Sequence, residues 1–126
     1  MHRKNLAIGR SGEELAVAFL EKSGYKILVR NYKTRLGEID IVAYDRDTIC
    51  FVEVKTRRSD RYGLPQEAVG GFKQRQIAKA ALAYLKENNL FRKKSRFDIV
   101  CVFYAEDKPR LELIRNAFEL DESFTY

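Results

Sequence analysis

Two short apolar segments of this chain carry charged side chains where a buried β-strand would be expected to have none. The segments are residues 37–44, which include Asp40, and residues 50–55, which include Glu53 and Lys55. Moving a carboxylate out of water costs several kcal/mol unless a hydrogen bond, an opposite charge or a metal ion offsets the cost. Asp40 and Glu53 are therefore the first candidates for a functional site.

The polar residues between these segments predict a hairpin with antiparallel strands. A two-residue loop at residues 46–47 sets a register in which Asp40 lies across from Glu53, with Cβ atoms roughly 4.5–5.5 Å apart. Side chains alternate along a strand, so Glu53 and Lys55 project from the same side of the sheet. All three charged groups then share one patch, although a longer loop would shift the pairing.

Two carboxylates at this spacing repel each other, and the repulsion and burial raise the pKa of one of them. A divalent cation resolves the conflict, and all-oxygen ligands suit Mg²⁺ or Mn²⁺ better than zinc. Lys55 is then placed to orient or deprotonate a water molecule, or to neutralise charge on a phosphoryl group. This combination predicts phosphodiester hydrolysis. The alternative is a structural salt-bridge cluster of Asp40, Glu53 and Lys55, since such short motifs are common.

Further motifs accompany the acidic pattern over most of the chain. They are Gly9-x-x-Gly12-Glu13-x-x-Ala16, Arg30-Asn31-Tyr32, Gly37-Glu38-Ile39-Asp40, Phe51-Val52-Glu53-Val54-Lys55-Thr56-Arg57, Gly63-x-Pro65-x-Glu67-Ala68-Val69 with Lys73, and Arg96-Phe97-Asp98. Together they resemble the YraN-like family of predicted endonucleases, within the PD-(D/E)XK superfamily that includes archaeal Holliday-junction resolvases. One departure is Ile39, which stands where the superfamily's name puts proline.

The resemblance implies a metal-dependent endonuclease that acts on DNA, including branched DNA, with Mg²⁺ or Mn²⁺ as cofactor. It implies that Asp40 and Glu53 hold the metal with the backbone carbonyl of Val54, and that Lys55 is the catalytic lysine. It also implies that Glu13 adds a catalytic and metal-binding acid from the first helix. Related resolvases work as dimers, which leaves a homodimer open. The alternative function is a nucleic-acid-binding module of the same fold without turnover.

The charge distribution favours a polyanionic partner. The formal net charge is +6, and residues 1–105 hold 21 basic and 12 acidic side chains. Such a field attracts nucleic acid, although basic charge also serves solubility alone, as in a basic scaffold with no nucleic-acid role. The predicted contacts to the phosphate backbone are Lys73, Arg35, Arg57, Arg58 and Arg61, together with Arg92-Lys93-Lys94 and Arg96.

Other classes of site find no support in the composition. His2 is the only histidine, which argues against HNH nucleases, Ser-His-Asp catalysis and His/Cys zinc sites. Cys50 and Cys101 lie in apolar runs without a C-x-x-C pair, which predicts reduced core cysteines. No apolar stretch is long enough for a membrane span and no signal peptide is visible, so we expect a cytoplasmic protein without membrane contact. The length of 126 residues fits a single domain.

The helical periodicity predicts two helices. The first runs from about Asn5 to Ser23, with Gly9 and Gly12 on its buried face, where they permit close approach to a sheet. Alternatively, these glycines form a break before a shorter helix that starts near Ser11, with Glu13 serving the helix dipole.

The second helix covers about Gly71 to Asn88, and one apolar side carries Phe72, Ile77, Ala80, Ala81 and Tyr84. Lys73 lies within that stripe and is predicted to reach the rim of the acidic patch. The alternative is that its aliphatic stem packs while the ammonium group extends to water. The polar residues 56–65 predict a loop at the mouth of the site.

The remaining chain predicts a central strand over residues 96–104 and an edge strand over residues 111–114, with a turn at residues 107–110. The predicted fold class is α/β, with a mixed central sheet of about five strands flanked by helices in αβββαββ order. This order matches a restriction-endonuclease-like core. An acidic C-terminal tail is expected from about residue 116.

Overall fold

The structure is a computed structural model that describes the backbone of residues 2–58, 69–105 and 108–119, and the side chains of residues 12–58, 69–104 and 108–119. Its elements are α1 (His2–Lys22), β1 (Tyr25–Lys33), β2 (Glu38–Asp45), β3 (Thr48–Arg57), α2 (Gly71–Glu87), β4 (Lys94–Ala105) and β5 (Lys108–Phe118). The predicted αβββαββ order is confirmed.

The five strands form one mixed sheet in the order β1-β2-β3-β4-β5. Strands β3 and β4 are parallel because α2 connects them as a crossover, while the other neighbours are antiparallel. Strand β4 therefore lies inside the sheet and β5 at its edge, as the sequence predicted. The architecture is α/β and consistent with a restriction-endonuclease-like fold.

Each face of the sheet is covered by one helix. Residues such as Phe51 and Ile99 pack with α2 on one face, which we call the α2 face. Residues such as Val52 and Val100 pack with Ala16 of α1 on the opposite α1 face. Neighbouring strand residues thus enter different cores, as the pleat of a strand requires. Both faces of the central strands are dry, which explains their nearly continuous apolar sequences.

Helix α1 is continuous from His2, so the predicted break before Ser11 is absent. It ends before Gly24, whose φ of 95° is the left-handed conformation favoured after a helix. A Cβ atom at Gly12 would lie 2.7 Å from Cγ2 of Thr56, so this glycine allows α1 to approach the end of β3 closely, as predicted. Gly9 lies outside the residues whose side-chain environment is described.

The prediction for Phe72 is wrong, because 67% of this residue is exposed to solvent. The buried residues of α2 recur at Ile77, Ala81 and Tyr84, together with their neighbours. Extended back by one turn, this helical period falls on Lys73 and not on Phe72. The aromatic ring is therefore out of phase with the apolar stripe.

The predicted turn at residues 107–110 is also wrong in part. Lys108, Pro109 and Arg110 already belong to β5 and pair with the end of β4. Proline is tolerated there because β5 is an edge strand, where a missing N–H group need not break the ladder. Strand β5 continues to Phe118, past the expected start of the tail, and residues 120–126 lie outside the described part of the chain.

The predicted loop after β3 starts later than expected, since Thr56 and Arg57 still belong to the strand. Residues 59–68 lie outside the described part of the chain. Cys50 and Cys101 are buried and free, as predicted. None of the helices in the described residues is long and apolar enough to cross a membrane.

Asp98 is fully buried, and its hydrogen bonds join β1, β4 and β5, while Arg96 extends the network to β2. Its carboxylate accepts bonds from Nε of Arg96 at 2.9 Å, from the hydroxyl of Tyr25 at 2.7 Å and from the backbone N–H of Asn116 at 2.9 Å. Arg96 also donates to Asp45 at 2.6 Å. Arg96, which was predicted to contact phosphate, forms ion pairs with two carboxylates of the protein, and its contact with phosphate stays a prediction.

We predict that Asp98→Ala lowers the free energy of unfolding by about 3–5 kcal/mol, because it leaves a partly buried arginine without its main partner. Urea denaturation measures the change. The control is Asp47→Ala, which breaks an exposed ion pair to Lys94 and should leave stability near the wild-type value. If both variants lost the same free energy of unfolding, the buried network around Asp98 would not be the stabilising element that we infer.

Candidate active site

The hairpin between β2 and β3 has the predicted two-residue loop. Arg46 in this loop adopts a φ of 59°, the left-handed conformation that such tight turns require. The ladder follows the predicted register and runs as far as the pair Ile41–Val52. It ends one position before Asp40 and Glu53, so these two acids lie where the strands stop exchanging backbone hydrogen bonds.

Asp40 replaces the backbone as the partner of β3 at this point. Its Oδ2 atom accepts a 2.8 Å hydrogen bond from the backbone N–H of Val54. The N–H and C=O groups of one strand residue point to the same side. The carbonyl of Val54, predicted as a metal ligand, therefore faces the same open end of the ladder as Asp40.

Near Asp40, the side chains of the strands do not alternate regularly between the two faces of the sheet. Ile39 packs in the core of the α2 face and Ile41 in that of the α1 face, although residues two apart normally share a face. On β1, the neighbouring Asn31 has a positive φ of 55°. Both strands therefore twist at the same level. This irregularity places Asp40 near Glu53 on the α2 face and near Glu13 of α1, and the charges of both raise its pKa.

Glu53 is 5% exposed and lies on the α2 face with Lys55. Its Oε2 atom is 3.5 Å from Nζ of Lys55 and 3.7 Å from Nζ of Lys73. Lys73 therefore reaches the patch from the first turn of α2, as its position in the apolar stripe suggested. The structure brings Asp40, Glu53, Lys55 and Lys73 together.

The environment of Asp40 disfavours its charged form. Burial and then the nearby charge of Glu53 raise the pKa of Asp40 to about 7, while the N–H of Val54 acts in the opposite direction. Glu13 adds a smaller rise in this pKa through its own charge. The neighbouring charge of Glu53 thus opposes the ionisation of Asp40.

Glu13 lies beside this pair but bonds to β1. Its Oε1 atom accepts hydrogen bonds from Nε of Arg30 at 3.2 Å and from Nδ2 of Asn31 at 3.0 Å. Within the described residues, no three acidic, histidine or cysteine side chains gather as a metal centre. Asp40 and Glu53 therefore form a pair, and Glu13 is a neighbour that contributes electrostatically.

The predicted nucleic-acid contacts are spread over several elements. Arg57 follows Lys55 by two residues along β3 and its guanidinium donates to the carbonyl of Thr56. Arg58 is exposed at the end of the strand, and Arg35 is exposed in the turn between β1 and β2. Arg61 lies outside the described residues.

The basic run at residues 92–94, predicted to contact phosphate, lies at the end of the sheet opposite Glu53. Lys94 pairs with Thr48 at the start of β3, whereas Glu53 pairs with Ile99 farther along the same two strands. Five strand residues separate the two levels, which is roughly 16 Å. The run therefore belongs to a different surface.

Arg30 and Asn31 belong to a sequence motif for which no function was predicted. In the structure they hold Glu13 in place. The sequence signal was the asparagine itself, since Asn is among the few residues besides glycine that tolerate a positive φ. The partner that it would contact was not visible in the sequence.

We predict that the stability of the wild-type protein falls as the pH rises from about 4 to about 7, relative to Asp40→Asn. The pKa of Asp40 is raised from 3.8 to about 7, so the folded protein holds a proton that the unfolded chain has released. Asparagine mimics the protonated form, because it accepts from Val54 and can donate to Glu53. Urea denaturation across this pH range should give a difference on the order of a few kcal/mol at the upper end. Parallel pH profiles would contradict the assignment.

Residues 12–102 match the sequence profile described as "Uncharacterised protein family UPF0102". A UPF0102 protein of Syntrophus aciditrophicus (strain SB) is 55% identical over 117 residues, covering 93% of this chain and 92% of the relative. A UPF0102 protein of Geobacter metallireducens is 52% identical over 120 residues, covering 95% and 98%. One of Desulfosudis oleivorans is 50% identical over 111 residues, covering 88% and 89%. The chain therefore belongs to UPF0102, the YraN-like family of PD-(D/E)XK nuclease-like proteins.

Proposed function

We propose that this protein hydrolyses phosphodiester bonds in DNA, including structured or branched DNA, in a reaction that depends on Mg²⁺ or Mn²⁺. The observation that carries the proposal is the pair Asp40 and Glu53 at the open end of the hairpin ladder. A lysine from the same strand and a lysine from α2 complete the patch. Under this proposal the protein acts in the cytoplasm, either as a monomer or as a homodimer.

The donor groups fit a hard divalent cation. In the described part of the chain, Glu53 has two lysine partners, whereas Asp40 has no cationic partner and a raised pKa. A doubly charged ion would stabilise both carboxylates in their ionised form. Asp40, Glu53 and the carbonyl of Val54 would hold it, and all three groups supply oxygen ligands. When bound, the ion lowers the pKa of water and neutralises charge on the phosphate.

The remaining charged side chains have distinct tasks in this proposal. Lys55 holds or moves a proton of the attacking water through its Nζ atom, next to Glu53. Lys73 contacts the same carboxylate from α2 and binds a phosphate oxygen at the rim. Glu13, fixed by Arg30 and Asn31, adds negative potential near Asp40 and so favours a cation there.

The ion pairs also support a second candidate function. Lys55 and Lys73 neutralise Glu53 without a metal, as a structural salt-bridge cluster would. A nucleic-acid-binding module built this way would use the basic surface and leave the phosphodiester bond intact. It would bind DNA equally well after Asp40→Asn and would show no cleavage in either form.

We predict that Mg²⁺ or Mn²⁺ raises the melting temperature of the wild-type protein by several degrees, because a ligand that binds the folded state stabilises it by about 2.7 kcal/mol at a hundredfold excess over Kd. Asp40→Asn and Glu53→Gln should abolish the shift. Asp47→Asn, an exposed acid at the far end of the same hairpin, should retain it. A shift of equal size in all four proteins would show that the ion binds elsewhere.

We predict that the wild-type protein cleaves one or more structured DNAs in the presence of Mg²⁺ or Mn²⁺, and that Asp40→Asn and Lys55→Ala each lower the rate by about 100-fold or more. A gel assay over duplex, flap and junction substrates measures the rate, and fluorescence anisotropy checks that both variants still bind. Asp47→Asn is the matched control. Binding without cleavage by the wild type on every substrate would favour the binding module instead.

A further inference from the structure

An exposed aromatic ring adjoins the acidic patch. Phe72 is 67% exposed and is the chain neighbour of Lys73, whose ammonium group contacts Glu53. Consecutive Cα atoms lie about 3.8 Å apart, so the backbone that carries this ring is part of the site's rim. Leaving a phenylalanine in water forfeits the free energy that burial of its ring would give. The position is therefore a candidate for contact with a partner.

A second exposed apolar residue lies on the same side of the site. Leu36 is 55% exposed, in the turn between β1 and β2 that hydrogen bonds of Thr34 hold in shape. A Cβ atom at the adjacent Gly37 would lie 2.5 Å from the carbonyl oxygen of Gln76, so this turn packs directly on α2. Gln76 and Phe72 are four residues apart and share one helix face. The turn that carries Leu36 therefore packs against α2 about one helical turn from Phe72, and we call these two exposed apolar residues the rim patch.

Basic residues are close neighbours of both patch residues in the sequence. Arg35 is exposed in the same turn as Leu36. The Nη1 atom of Arg75 would be 3.5 Å from a Cβ atom at Gly71, so this guanidinium extends back towards the start of α2, beside Phe72. With Lys73, three cationic side chains lie within three residues of Leu36 or Phe72 along the chain. A partner that matches the rim patch must be anionic and must also present flat apolar faces.

We propose that Phe72 stacks on an unpaired base of a nucleic-acid strand whose phosphates contact Arg35, Lys73 and Arg75. The inference rests on the nucleic-acid part of the proposed function and narrows its substrate class to single-stranded DNA or DNA with a single-stranded segment at the site. Inside a duplex the base faces are covered by stacking, so only its two end pairs offer a face to the ring. An unpaired base of any type offers such a face, and aromatic side chains next to basic grooves bind single strands in this way.

The absence of tryptophan from the chain makes a direct test possible. Phe72→Trp introduces a single tryptophan at the proposed stacking position, and its emission is excited selectively over that of the tyrosines. Phe91→Trp is the matched control, because Phe91 is 59% exposed beyond the opposite end of α2, roughly 25 Å of helix away. Both variants carry Asp40→Asn and are titrated in EDTA, so that no strand is cleaved. The probes are an oligothymidylate and a blunt duplex of the same length.

We expect oligothymidylate to quench the tryptophan emission of the Phe72→Trp variant, with the duplex giving a much smaller change and the Phe91→Trp control giving none. In anisotropy titrations, Phe72→Ala should weaken binding of oligothymidylate about tenfold, with duplex binding changed by less than about twofold. Restoration of the affinity by Phe72→Trp would identify stacking as the cause.

Three outcomes would overturn the inference. If the protein binds duplex and Phe72→Trp responds no more than Phe91→Trp, the stacking role fails while the proposed function stands. If neither nucleic acid binds at low salt, both fail together. If sedimentation shows a dimer that Phe72→Ala dissociates, and oligothymidylate binding is unchanged, the patch is an interface between two copies of the chain.

Discussion

The hydrogen bond from the N–H of Val54 to the carboxylate of Asp40 determines how the candidate site is built. It holds β2 against β3 after their backbone ladder has ended, and so it keeps one carbonyl of β3 and two carboxylates facing the same open space. A regular ladder would have used the backbone groups of this region for pairing. The oxygen atoms of Asp40, Glu53 and the Val54 carbonyl can gather here only because the backbone pairing of β2 and β3 has ended.

The sheet contains one fully buried acid, Asp98, and one partly buried acid, Asp40, and their negative charges are compensated to different degrees. Asp98 accepts hydrogen bonds from Arg96, Tyr25 and Asn116, so its charge is compensated inside the fold. Asp40 receives one N–H group and faces Glu53, so its charge remains unfavourable. A protein selected for stability alone would have little reason to keep the second arrangement. The contrast identifies Asp98 as structural and Asp40 as the functional candidate.

Sequence reasoning predicted the element order and the hairpin register because both depend on local patterns, namely the period of apolar residues and the length of one loop. It predicted that Lys73 reaches the rim of the acidic patch, because a charge inside an apolar stripe needs an anionic partner, and the structure identifies that partner as Glu53. It did not predict the role of Arg96, since the four strands that meet around Asp98 are distant in sequence. The resemblance placed Glu13 near the acidic pair, but its hydrogen bonds to Arg30 and Asn31 were not predicted, because these partners lie 17 and 18 residues away in the sequence.

Phe72 and Lys73 show that the spacing of buried residues has to be followed along the whole of α2 to decide which side chain faces the sheet. An apolar residue near the start of α2 was assigned to the core by its type, whereas the spacing from Ile77, Ala81 and Tyr84 points to Lys73 as the inward position. The lysine points inward because Glu53 lies opposite it on the sheet, and the phenylalanine next to it is consequently turned outward. The same geometry that completes the acidic patch therefore presents an aromatic ring at its rim. The exposure of Phe72 is thus a consequence of the inward position of Lys73.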